Sequence, residues 1–209
     1  MLVREIMHAD PVTIAPQTSL ESAYAMMLER HIRHLPVMDG ERLVGVVTDR
    51  DLRLATSRLT EQPFPPGTGV GAVMSSHVET AHPLDPIEGA ARVMRELKIG
   101  CLPVVDGTRL VGIVTGIDIL DALLILTGVE RPSSRLEVRL HDRPGELARL
   151  TQLLSEDKIN ILSVLSYPDG EHRGRTVLRV ATIDMRALVE RLGSAGFEVL
   201  WPPVKPCRA

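Results

Sequence analysis

Aromatic side chains are scarce: Phe, Tyr and Trp together make up 2% of the 209 residues. Stacking platforms for single-stranded nucleic acid are built from such rings, so the composition argues against that class of partner. No excess of positive charge takes their place. The 24 Lys and Arg against 27 Asp and Glu give a formal charge of −3, which provides no basic field toward phosphate backbones. Cysteine occurs twice, at Cys101 in an apolar run and at Cys207 in the tail, too sparsely for a disulfide framework or a cysteine-based metal site. His31 and His34, with His8, His77 and His82 elsewhere, have no matching Cys or carboxylate cluster, so no metal is expected. No apolar run approaches the roughly 20 residues of a membrane span; residues 119–126 come nearest and are interrupted at Asp121. Residues 1–8 have neither the basic region nor the apolar stretch of a signal peptide. The expectation is a cytoplasmic protein with no membrane attachment and no nucleic-acid partner.

Hydrophobic residues reach 44% and charged residues 24%, an ordinary balance for a chain that folds, and the length suits two or three small domains. An internal repeat then organises the first 127 residues. Leu35-Pro36-Val37-Met38-Asp39-Gly40 recurs as Leu102-Pro103-Val104-Val105-Asp106-Gly107, and Leu43 to Thr48 recurs as Leu110 to Thr115, at an offset of 67 residues. At that offset Val3 falls on Val70, Met7 on Met74, Thr13 on Thr80, Ala23 on Ala90 and Asp51 on Asp118, with no gap.

Each copy reads as short strand, helix, hairpin, helix. Thr18-Ser19-Leu20-Glu21 and Asp85-Pro86-Ile87-Glu88 look like helix starts, with Thr18 and Asp85 placed to cap and a Glu three residues on. Asp39-Gly40 and Asp106-Gly107 lie between apolar runs and predict two-stranded hairpins. A second helix follows Thr48 or Thr115. One unit of this size buries its apolar surface poorly, so the two are expected to pack face to face with pseudo-twofold symmetry, leaving clefts as candidate ligand sites.

The Val-x-x-Ile/Val-Met starts, the Leu-Pro-Val-x-Asp-Gly hairpins and the Gly-x-Val-Thr-x-x-Asp ends resemble tandem cystathionine β-synthase (CBS) motifs, the paired regulatory module. The resemblance divides the chain into motif one over 1–58, a linker over 59–69 and motif two over 70–127. It implies nucleotide binding by Thr48 and Asp51 and by Thr115 and Asp118. There the carboxylate takes the ribose hydroxyls, and the Thr hydroxyl and helix amides face phosphate. The same residues also read as capping boxes, and both roles are compatible. Thr13 and Thr80 match the family position at the adenine pocket, although each is equally an ordinary strand threonine. His31, Arg33, His34 and Arg50 bring cations to the expected phosphate end of motif one. Motif two has Lys98, Gly100, Cys101 and Ile117 instead, so motif one is expected to prefer the more phosphorylated ligand. Gly67-Thr68-Gly69-Val70-Gly71-Ala72 matches a dinucleotide fingerprint in spelling only, since Pro63, Pro65 and Pro66 precede it where a strand is required.

After a turn-rich linker over 128–134, the segment 135–204 reads βαββαβ, with helices over 144–156 and 185–195, which suggests a ferredoxin-like antiparallel sheet with helices on one face. His141-Asp142-Arg143-Pro144-Gly145-Glu146-Leu147 with Lys158-Ile159-Asn160-Ile161 resembles the ACT domain, a regulatory module that often binds amino acids. That resemblance implies an effector site at Asp142, Gly145 and Asn160; the same residues also suit a helix cap and turns. Dimerisation through the sheet is the other expected role.

The fold class expected is therefore α/β (α+β): tandem CBS motifs, then ACT. The whole order is similar to the acetoin utilization protein AcuB family, with Ala81-His82-Pro83-Leu84-Asp85, Ile161 to Leu165 and Trp201-Pro202 as further points of likeness. It implies a homodimeric regulatory protein without a cofactor. Its expected ligand is AMP, ADP, ATP or S-adenosylmethionine, with an amino acid at the ACT domain and a regulated protein of unknown identity. Two alternatives stand beside it: an acetoin-catabolic enzyme, for which no Gly-x-Ser-x-Gly elbow, His-Glu-x-x-His helix or phosphate loop is found, and a ligand-free assembly module.

Overall fold

A computed structural model describes residues 1–203; Val204, the last residue of the expected third domain, and Cys207 lie outside the described residues. The chain divides into two compact units, the second beginning at Leu123.

In the first unit, β1 (His8–Ala9) precedes α1 (Leu20–Arg30), β2 (His34–Asp39), β3 (Arg42–Thr48) and α2 (Asp49–Ala55). The second copy repeats this with α3 (Ile87–Leu97), β4 (Cys101–Asp106) and β5 (Arg109–Thr115); α4 (Gly116–Thr127) runs on past the boundary between the units. The hairpins close as their Asp-Gly turns predict, with Leu35 opposite Val47 and Leu102 opposite Val114. Gly40 and Gly107 take φ of +60° and +62°, the left-handed region that glycine enters without steric cost.

The helix starts are shifted from the sequence expectation. Ser19, and not Thr18, caps α1 by accepting from Ser22 N at 3.1 Å. At α3 the cap position belongs to Pro86, which makes no side-chain bond, and Asp85 instead accepts from His82 N at 2.7 Å. Asp85 lies one residue too early to reach the helix amides, so it tightens the preceding turn.

The larger departure is that the two copies exchange their N-terminal segments. β1 pairs with β5 of the other copy, His8 opposite Ile113 and Ala9 opposite Gly112. Ser75 makes the reciprocal pair with Val46 on β3. The cores are exchanged with the strands. Val3, Ile6 and Met7 pack with Met94, Leu102 and Val114, whereas Val70, Val73 and Met74 pack with Met27, Leu35 and Val47. Val3 and Val70 are fully buried, each contributing about 1.5–3 kcal/mol of hydrophobic stabilisation to the copy it did not come from. Gly45 and Gly112 make this approach feasible: a Cβ on either would lie 2.4 Å from Met74 Sδ or 2.6 Å from Met7 Sδ. Val46, Cys101 and Ile113 form a further small cluster between the two hairpins.

The second unit contains β6 (Ser134–His141), α5 (Glu146–Glu156), β7 (Ile161–Pro168), β8 (Arg173–Val180), α6 (Arg186–Ser194) and β9 (Glu198–Trp201). Its sheet order is β7-β8-β6-β9, antiparallel throughout, the ferredoxin-like arrangement expected. Alternation along β6 sends Leu136, Val138 and Leu140 into a core with Leu150 and Leu154 of α5 and Leu188 and Leu192 of α6. On the opposite face Glu137 accepts from Tyr167 Oη at 2.9 Å and pairs with Arg135 at 2.8 Å. Pro144 lies before α5, which starts at Glu146 behind Gly145 at φ +91°.

Candidate functional site: the paired strand-to-helix junctions

The Thr-x-x-Asp segments occupy matching positions, each where the last hairpin strand of a copy turns into its second helix. Thr48 donates to Asp51 Oδ2 through its backbone N at 2.9 Å and its Oγ1 at 2.7 Å, and Asp51 N donates to Thr48 Oγ1 at 3.2 Å. The second junction repeats this at 2.7, 2.8 and 3.4 Å for Thr115 and Asp118. These are the capping boxes that the spacing predicts. Each cap uses a single carboxylate oxygen, Oδ2. Geometrically the other oxygen remains available for a second partner, so capping does not compete with binding.

The second oxygen is where the copies differ. Among the described residues no hydrogen bond reaches Asp51 Oδ1, whereas Asp118 Oδ1 is met by His8 Nε2 at 2.9 Å. Sequence reasoning gave His8 no role, because the segment exchange that carries it to Asp118 leaves no trace in hydrophobic periodicity.

The structure brings His34, Cys101 and Asp51 into one neighbourhood. The His34 ring lies against Gly100, where an added Cβ would meet Nε2 at 2.7 Å. Burial pushes the His34 pKa below its ordinary 6.5 and outweighs the opposing charge of Asp49; Arg33 lowers it further and Asp51 raises it. The expectation of a cationic His34 is therefore corrected: at neutral pH it is an uncharged imidazole, and the positive charge of this end rests on Arg33 and Arg50. Both arginines are exposed, and the Arg33 carbonyl accepts from Asp49 N at 3.1 Å, tying β2 to the start of α2. Burial, with the Asp51 charge adding to it, pushes the Cys101 thiol up to about 12, so Cys101 offers a neutral, apolar contact.

Thr13 and Thr80 are both exposed. Thr80 lines a groove of about 540 Å³ with Ser76, Val78, Arg42, Val105 and Thr108. This groove draws on both copies but does not include Thr48 or Asp51 among its lining residues, so Thr80 and the carboxylate are not joined in one cavity.

In the second unit Asp142, Gly145 and Asn160 are exposed, and nothing lies within 4 Å of a Cβ built on Gly145. Asp142 does not cap α5, whose cap position is Gly145. A separate cavity of about 140 Å³ is lined by Arg139, His141, Glu146, Arg149, Arg173 and Phe197, among others. Arg149 stacks over Phe197 at 4.3 Å, and the hydrogen bond from Arg143 holds the buried Glu146 carboxyl below its usual range. These arginines come from β6, α5 and β8, and only the folded sheet assembles them.

The CBS domain model matches residues 3–58 and 70–125, more than half of the chain, and the ACT domain model matches 134–196. The chain belongs to the CBS domain family, as a tandem pair followed by an ACT domain. In particular it is similar to a Vibrio cholerae protein termed an acetoin utilization protein (AcuB), at 34% identity and a TM-score of 0.53, covering 63% of this chain and 98% of that one. It is also similar to the CBS domain pair of protein MJ0100 in complex with 5′-methylthioadenosine and S-adenosyl-L-methionine, at 30% identity and a TM-score of 0.54, covering 63% and 98% of the two chains. Among curated relatives, a CBS domain-containing protein of Dictyostelium discoideum is 36% identical over 137 residues, 59% of this chain and 92% of that protein. The enzyme relatives are matched over a minor part of their length, as with the 23% of a homoserine O-acetyltransferase from Methanohalobium evestigatum.

Proposed function

We propose that this protein is a ligand-sensing regulator that holds an adenine nucleotide or adenosyl compound (AMP, ADP, ATP or S-adenosylmethionine) at its paired junctions and passes occupancy to a partner protein. The observation that carries the reading is the capping geometry: Thr48 occupies only Oδ2 of Asp51, leaving Oδ1 as an acceptor for ribose hydroxyls. A carboxylate that is already oriented by two hydrogen bonds takes a diol with little further ordering. The similarity to the MJ0100 pair and to CBSX2, whose structure is in complex with AMP at 30% identity, supports the adenosyl class. Thr13 and Cys101 belong to the proposed site as contacts for the base and sugar, whereas Thr80, in a groove that contains neither Thr48 nor Asp51, is left out of it. Arg33 and Arg50 make the Asp51 junction the one for the more phosphorylated ligand, because Gly100 and Ile117 replace them at the other.

Ligand biases a regulator only through different affinity for its alternative arrangements. In this reading the response passes to a homodimer. Support for the dimer comes from the exposed Leu120, Leu123 and Leu124 of α4, and from Val164, Leu165 and Tyr167 of β7. An amino acid at Asp142 and Gly145 completes the proposal, with Arg149 and Arg173 of the cavity that His141 and Glu146 also line as partners for its carboxylate; Asn160, beside Ala181 at the other end of β8 from Asp142, is not brought to them within one chain. A role in acetoin catabolism rests on the similarity to the Vibrio cholerae protein, and a cytoplasmic setting on the intracellular pools of these ligands. The domain limits proposed are 1–58, 70–127 and 135–204.

A thermal-shift panel of AMP, ADP, ATP, S-adenosylmethionine and amino acids on ligand-free protein tests the reading. A true ligand at about 100 times its Kd adds about 2.7 kcal/mol, and the Asp51→Ala, Asp118→Ala double variant abolishes the nucleotide response. No response to any adenosyl compound favours an assembly module. Turnover of acetoin by the pure protein overturns the regulatory reading.

A further inference from the structure

We propose that His8 is the resident occupant of the Asp118 junction, so that the two junctions fill in order, the Asp51 junction first. This rests on the nucleotide reading above and adds to it which site stands open.

The carboxylates supply the first observation. Asp118 has both oxygens engaged, Oδ2 by Thr115 at 2.7 and 2.8 Å and Oδ1 by His8 Nε2 at 2.9 Å. Among the described residues Asp51 Oδ1 accepts nothing. A carboxylate oxygen can accept two hydrogen bonds, so a ribose arriving at Asp118 either shares Oδ1 with the imidazole or displaces it; at Asp51, among the described residues, nothing competes for Oδ1.

The segment exchange explains the difference. His8 pairs with Ile113 on β5, and Ser75, 67 positions later, pairs with Val46 on β3. The two backbone stations are equivalent. A Cβ on Gly112 would lie 3.1 Å from the His8 carbonyl oxygen, and one on Gly45 would lie 3.1 Å from that of Ser75. The same station thus carries an imidazole long enough to reach a carboxylate at one junction and a short hydroxymethyl group at the other.

The contact is also built to yield. The Asp118 side chain is 9% exposed but that of His8 is 71% exposed, so the ring swings into solvent without disturbing the core. Losing one such exposed partner changes affinity by about two- to fivefold, a difference that adds to the one made by Arg33 and Arg50.

Exchanging the two station residues tests this. Calorimetric titrations of the full chain with AMP, ATP and S-adenosylmethionine are compared for wild type, His8→Ser, Ser75→His, Asp51→Ala and Asp118→Ala. Wild type shows two affinities, Asp51→Ala removing the tighter and Asp118→Ala the weaker. His8→Ser tightens the weaker site about two- to fivefold and leaves the other unchanged, and Ser75→His weakens the tighter site. A weaker site unmoved by His8→Ser overturns the proposal. So does one that loses affinity, since His8 is then a ligand contact. Binding that ignores both aspartate substitutions, or no binding of any probe to wild type, overturns the nucleotide reading itself and the filling order with it.

Discussion

The two strand-to-helix junctions share a fold, a capping box and almost the same distances, yet they present different chemistry. Around Asp51 stand Arg33, His34, Asp49 and Arg50; around Asp118 the equivalent positions are Gly100, Cys101, Gly116 and Ile117, with His8 brought in from the other copy. Duplication preserved what holds the backbone and left free what faces the cleft. Capping is a local requirement that both copies must meet, whereas the exposed charges beside it, Arg33 and Arg50, play no part in holding the cap.

The largest expected effects test whether the copies are one cooperative body. Leu35→Ala and Leu102→Ala, twin fully buried positions, should each cost about 2–5 kcal/mol. Because each core contains the other copy's first segment, both should lower one shared calorimetric transition of the CBS pair. Two separable transitions would break the equivalence drawn here.

Gly45→Ala and Gly112→Ala sharpen the exchange itself. Overpacking against Met74 or Met7 should cost about 1–3 kcal/mol, read by chemical denaturation. Met74→Ala should relieve only Gly45→Ala and Met7→Ala only Gly112→Ala. The opposite pattern of rescue would place the segments on their own copies.

Thr48→Ala and Thr115→Ala remove the caps at about 0.5–2 kcal/mol each. In a double-mutant cycle, Thr115→Ala should couple with His8→Ser through the shared Asp118 carboxylate by about 0.5 kcal/mol or more, while Thr48→Ala and His8→Ser should add. Coupling at both junctions would show that His8 acts globally.

Near neutral pH the smallest effects are pH slopes of opposite sense. His34 has its folded-state pKa lowered by burial, so the unfolded chain binds that proton more readily and stability falls as pH drops below about 6.5. Cys101 is raised from 9.0 to about 12, so the unfolded chain releases its proton first and stability falls as pH rises above 9.0. Denaturation curves across pH should show the acid-side slope reduced in His34→Gln and the alkaline slope reduced in Cys101→Ala, with no exchange of roles.

Much of this architecture was legible because it is written in contiguous residues. Asp39-Gly40 and Asp106-Gly107 announced hairpins, Thr48 to Asp51 announced a cap, and the βαββαβ order over 135–204 announced an antiparallel sheet with helices on one face. The exchanged segments were not legible: β1 is two residues long, too short for any period, and a buried Val3 looks the same in either core. The cap of α3 was misplaced because Asp85 and Pro86 both suit a helix start, and only backbone geometry separates them. The Arg139, Arg149 and Arg173 cavity was missed because its members lie far apart along the chain.

Repetition and local propensity alone therefore dictated two similar hairpin-and-helix units, a third βαββαβ unit and the two Thr-x-x-Asp carboxylates, since turns, caps and amphipathic periods depend on near neighbours. Which copy owns each first strand, which carboxylate oxygen stays open and which imidazole is stripped of its charge were decided by packing. Those properties depend on groups that meet only after the chain has closed on itself, where burial and distance, and not spelling, set the energy.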